Sequence, residues 1–113
     1  MRQFVFYYNP AKCTQPVMCY ASAMPPLHTD EPYREIRFTY EDIIKHTTET
    51  LRKDRARIVC IDGQDFCVTA REDGKGGYDL KLQTYVYPLG LMESTVPARY
   101  VDGFSPADFW RAE

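Results

Sequence analysis

Residues 39–71 read TYEDIIKHTTETLRKDRARIVCIDGQDFCVTAR, and the change of period inside this stretch decides the fold class. In its first half Tyr40, Ile43, Ile44, Thr47 and Leu51 recur at helical spacing, while Glu41, Lys45, Glu49, Arg52 and Lys53 fall on the other side. Thr39 is a good N-cap, with Asp42 three residues on in an approximate capping box. Acids at the start and Arg52, Lys53 and Arg55 at the far end complement a helix dipole, so the spacing predicts an amphipathic helix over 40–54.

In the second half the period drops to two. Residues 56–61 and 66–71 read as strands joined by Asp62-Gly63-Gln64-Asp65, a strong hairpin signal. A Gly63-Gln64 turn sets Ile61 opposite Phe66 and Cys60 opposite Cys67, whereas an Asp62-Gly63 turn keeps the same apolar parity and offsets the cysteines. Either way Val59, Ile61, Phe66 and Val68 share one face and Cys60 and Cys67 the other, because a slip by one residue would drive Asp65 into the core.

Downstream, the glycine-rich loop 72–77 leads to a strand over 78–87, with Leu80, Leu82 and Val86 facing the core and Lys81, Gln83, Tyr85 and Tyr87 facing outward. Pro88 ends it. Residues 89–103 show no clear period and read as loop, with a short strand near Tyr100 and Val101. Ser105-Pro106 then opens a short helix carrying Phe109 and Trp110. Upstream, residues 3–8 are apolar at both parities, as in a strand covered on both sides. Residues 34–38 alternate charged and apolar side chains, as in a half-buried strand. The span 9–32, with five of the chain's eight prolines and both Cys13 and Cys19, reads as a long irregular loop.

These readings give an α+β fold, a mostly antiparallel sheet in the order ββαβββα. One main amphipathic helix packs on the face carrying Val59, Phe66, Leu80 and Leu82, and a short helix ends the chain. At 113 residues, 44% hydrophobic and 27% charged, a single globular domain over 1–113 with one core is expected.

Composition narrows function by exclusion. Fourteen basic against sixteen acidic residues, a net charge of -2, supply no field for a phosphate backbone or an anionic membrane, so nucleic acid is not the expected partner. The basic run 52–57 is read as complementing the helix end. No apolar run approaches the roughly 20 residues a membrane helix needs, and the start of the chain reads as a strand rather than a leader, so a cytoplasmic setting with reduced cysteines is expected.

Gly74-Lys75-Gly76-Gly77 offers backbone N–H groups beside a lysine, but it lacks the spacing and Ser/Thr of a P-loop and precedes a strand. Four cysteines with His28 and His46 satisfy no zinc spacing, and no cofactor signature is present. His46 belongs to the polar face of the helix. No cysteine or serine stands beside a histidine in the sequence, and the chain reads more as a binder than as an enzyme.

The remaining signal is aromatic, with nine tyrosines and six phenylalanines. Tyr85 and Tyr87 on the outer parity, with Lys81 and Gln83 beside them and Tyr20 and Tyr33 in the long loop, are the candidate partner surface, because tyrosine gives large contact area with little entropy loss. The expected function is a small protein-binding module of inhibitory or immunity type that occludes another protein; self-association into a homo-oligomer is compatible with the same surface. The alternative is a small-molecule or catalytic site formed where the 9–32 loop folds over the sheet, using Cys13, Cys19, His28 or Tyr20.

Overall fold

The computed structural model describes residues 2–8, 17–22, 34–87 and 89–110. Among them eight strands form two fully antiparallel sheets. The smaller has the order β2-β1-β3, from β1 (Gln3–Tyr8), β2 (Val17–Ala21) and β3 (Arg34–Phe38). The larger is a meander from β4 (Thr47–Leu51), β5 (Ala56–Ile61) and β6 (Gln64–Glu72) to β7 (Tyr78–Val86) and β8 (Gly90–Pro97). Between the sheets in sequence lies α1 (Tyr40–Lys45), and α2 (Pro106–Phe109) follows the meander. The order is therefore βββαβββββα. No helix among the described residues is long and apolar enough to cross a membrane.

The broad class, α+β with mainly antiparallel sheet, agrees with the sequence reading; the long helix and the element order do not. The capping box forms as expected, Asp42 N–H donating to Thr39 Oγ1 (3.1 Å) and Thr39 N–H to the Asp42 carboxylate (2.9 Å). The helix stops at Lys45, however, with exposed His46 as its C-cap. Thr47, Thr48 and Thr50 are β-branched and favour extended backbone, and β5 offers them a pairing partner. Thr47 Oγ1 donates to Ile43 O (2.7 Å), closing the last turn of α1 as the chain leaves it.

What covers the larger sheet is therefore the smaller sheet. Phe4, Phe6, Met18, Ile36 and Phe38 on one side meet Val59, Phe66, Val68, Leu80 and Leu82 on the other in a single buried cluster. Phe66 sits at its centre, its ring 4.9 Å from Phe38 and 5.6 Å, edge-on, from Phe6. Tyr40 and Ile43 of α1 are buried at one end, where Tyr40 packs edge-on against Phe104 at 5.4 Å. Val5 and Tyr7, on the far face of β1, are also buried, as its two apolar parities predict.

Two further segments depart from the loop readings. Val17–Ala21 is a strand paired with β1, Met18 opposite Phe6. Gly90–Pro97 is a full strand paired with β7, while Tyr100 lies in a 3-10 turn (Ala98–Tyr100) rather than in a strand. Side chains fasten the smaller sheet to the second half of the chain, the Tyr20 hydroxyl accepting from Asp102 N–H (2.8 Å) and Arg34 donating to the Asp62 carbonyl, while within the smaller sheet Arg34 Nη1 donates to the Tyr8 hydroxyl (3.2 Å).

The β5–β6 hairpin turns at Asp62 and Gly63, both with positive φ (51° and 77°), as a two-residue turn of type I′ requires. Ile61 faces Gln64, Val59 faces Phe66, and Cys60 and Cys67 lie diagonally. Diagonal neighbours stand about 7–8 Å apart, too far for a disulfide without backbone movement, and both thiols are free.

Candidate functional site

The outer face of the five-stranded sheet carries the residues singled out in the sequence. β7 alternates strictly, Leu80, Leu82, Thr84 and Val86 inward and Lys81, Gln83 and Tyr85 outward. Along this face Gln83 pairs with Glu93 and Tyr85 with Leu91. Gln83 Nε2 donates to Glu93 Oε1, and Lys81 Nζ lies 3.3 Å from the same oxygen. The Gln83 hydrogen bond first, and Lys81 second, hold the Glu93 carboxyl below the usual carboxylate range. The middle of the face is thus polar and internally satisfied.

Its end differs. At the tip of the β7–β8 hairpin Tyr85 is 60% exposed, Tyr87 82%, Leu89 48% and Leu91 61%. Four large apolar or amphipathic side chains within seven positions of one hairpin make a patch on the order of a few hundred Å², as large as the largest on a typical monomer. The frame beneath is fixed. Gln64 Nε2 donates to Thr84 Oγ1 (2.7 Å) and to the Tyr85 carbonyl (2.9 Å), and the buried Thr84 hydroxyl donates to Asp65 O (2.7 Å). Tyr85 is therefore held at its backbone by the neighbouring strand while its side chain is in water.

Tyr20 stands apart from this cluster: half-buried, its ring packs 4.7 Å from Phe4 and its hydroxyl serves the Asp102 amide. Tyr33, Cys13 and His28 lie outside the described residues. Cys19 is half-buried on β2, where burial pushes its thiol up and Arg37 offsets part of that shift. Among the described residues no three His, Cys, Asp or Glu side chains gather as a ligand set.

The glycine-rich loop has its own anion. Asp73 Oδ1 accepts from the Lys75 N–H (2.7 Å) and the Gly77 N–H (3.0 Å), so the donors a phosphate would use hold a carboxylate. Those two bonds lower the Asp73 pKa. A Cβ at Gly77 would stand 3.0 Å from Asp73 Oδ2, a tight contact against the carboxylate that these two bonds hold in place.

Nor does the basic run 52–57 form a cationic stripe. Arg55 stacks 4.5 Å above Trp110, and Arg57 is only 5% exposed. Arg57 Nε donates to Phe109 O (2.8 Å), Nη2 to Asp108 O (3.2 Å) and Nη1 to Thr47 Oγ1 (3.1 Å), fastening α2 to the sheet.

Sequence reasoning missed Leu89 and Leu91, because their segment reads as loop. The signal was Tyr87-Pro88-Leu89-Gly90, a turn sequence with proline second and glycine fourth, followed by Glu93 and Thr95 alternating with Met92 and Val96. No protein-family model matches the chain, and neither a curated protein nor a solved structure is similar to it.

Proposed function

We propose that the protein is a small protein-binding module that uses the tip of the β7–β8 hairpin to occlude a surface of another protein, as inhibitory and immunity-type proteins do. The observation that carries this reading is the coincidence of Tyr85, Tyr87, Leu89 and Leu91, all exposed, on one braced hairpin end. Leaving this much apolar surface in water has no benefit for folding, and tyrosine anchors of this kind dominate binding energy where a pocket receives them. The satisfied polar strip of Lys81, Gln83 and Glu93 forms the rim. A reducing compartment suits the free thiols Cys19, Cys60 and Cys67.

The test is quantitative affinity capture from host lysate with the wild type and with a Tyr85→Glu/Tyr87→Glu double variant. A stoichiometric protein retained by the first and lost by the second, at equal melting temperature, supports the reading. A partner retained equally by both overturns it, as does the absence of any partner after crosslinking. Loss of folding in the variant would instead place the two tyrosines in the core.

A further inference from the structure

At the opposite edge of the same sheet, β4 is paired, among the described residues, with β5 on one side only. Alternate residues along an unpaired strand edge present backbone N–H and C=O groups outward. An open cleft of about 970 Å³ runs beside this edge, and four consecutive strand residues, 47–50, line it. The facing wall is one side of α1, Glu41, Ile44 and Lys45 at i, i+3 and i+4, with the half-buried Ile44 between two charges. Asp102 and Gly103 line the cleft beyond the helix, and Arg57, anchored as described above, lies against it.

A cavity lined by four successive residues of an edge strand sets that strand's backbone beside whatever fills it. A sheet edge facing a helix is also a geometry in which extended peptides add as a further strand. We infer that this cleft takes an extended segment of a partner polypeptide, added to β4 as a sixth strand, with an apolar side chain over Ile44 and a lysine or arginine toward Asp102.

Two features select this occupant. The carboxylates along the cleft, Glu41, Glu49, Asp102 and Asp108, outnumber the cations Lys45, Arg52 and Arg57 by one, and the cations that are exposed are only Lys45 and Arg52, which favours a basic segment. The register shift between Thr47 and Glu49 is a bulge. It bends and twists the edge, so the flat edge of a second copy is disfavoured, whereas a flexible segment can follow it. This site is separate from the hairpin tip and stands or falls without it.

The experiment is selection of a displayed library of random linear peptides of about eight residues, the length of an ordinary strand, on the full chain. Enriched peptides are expected to carry Lys or Arg and to shift the backbone amides of residues 41–45 and 47–50. Methylating one alternate set of peptide amides should weaken binding by about tenfold or more, the loss of backbone hydrogen bonds, while methylating the other set has little effect. Asp102→Lys should weaken the same peptides, and Tyr85→Glu should leave them unchanged. No enrichment, equal binding of both methylated sets, or shifts confined to the β7–β8 tip would overturn the proposal. So would a concentration-dependent dimer whose shifts fall on 47–50, because a second copy would then be the occupant.

Discussion

The two faces of the five-stranded sheet are made by the same strands, yet they have opposite characters. The inner face sets Val59, Phe66, Val68, Leu80 and Leu82 against the smaller sheet with no exposure. The outer face carries Cys60, Cys67, Lys81, Gln83 and Tyr85, held by hydrogen bonds along its middle and open at its tip. The contrast shows where sequence is committed: one parity is spent on burial, which leaves the other available for recognition without disturbing the fold.

The largest expected effect tests that division directly. Phe66→Ala removes the ring at the centre of the inter-sheet cluster and should cost about 3–5 kcal/mol in denaturant unfolding, whereas Tyr85→Ala should stay within about 0.5 kcal/mol. Comparable losses would mean that the outer face is also core.

Arg57 is a buried charged residue on the inner parity. Arg57→Met keeps the bulk but leaves the Phe109 and Asp108 carbonyls without its donors, an expected cost of about 3 kcal/mol. Because Trp110 follows α2 immediately, its fluorescence should report release of that segment before global unfolding.

The turn that assigns each residue to its face offers a smaller effect. Gly63 has φ 77°, and a Cβ there would meet only Arg34 Nη2 at 3.9 Å, so the cost of Gly63→Ala is conformational, about 1 kcal/mol, read as a lower midpoint with an unchanged denaturant slope.

The smallest effect concerns the β6–β7 loop. Because the folded-state pKa of Asp73 is depressed, its clamp on Lys75 and Gly77 contributes stability above the ordinary aspartate range and loses it as pH falls through the lowered value. The amide resonances of Lys75 and Gly77 should titrate together with a midpoint below that of an ordinary aspartate, and the exposed position keeps the change in overall stability slight.

Where local chemistry is self-sufficient, the chain is legible. Thr39 and Asp42 cap α1 as their spacing implies, Asp62-Gly63 was one of two turns that satisfied the parity of its flanking strands, and the outward parity of Tyr85 follows from Leu80, Leu82 and Val86. The long helix failed for a specific reason. The helical stripe of Tyr40, Ile43 and Ile44 is continued in the sequence by Thr47 and Leu51, but β4 sets these two opposite Val59 and Ala56, on opposite faces of a strand, so their helical spacing is coincidental. β8 stayed hidden because it points Ser94 inward and Leu91 outward, breaking the alternation at both faces. Without β8 as a partner, Leu89 and Leu91 could not be placed beside Tyr85. Arg57, inside a run of cations, reads as surface until the carbonyls of Asp108 and Phe109 are brought to it.

The described strands sort by sequence: those up to residue 38 form one sheet and those from residue 47 to 97 the other, with α1 as the passage between them. Neither sheet borrows a strand from the other. A cut in that passage would leave two fragments, each owning an entire sheet and held together, among the described residues, by packing and by hydrogen bonds that each use a side chain. Mixing them would turn the inter-sheet core into a dissociation constant, and Phe66 would become an interface residue whose worth is read by titration rather than by unfolding.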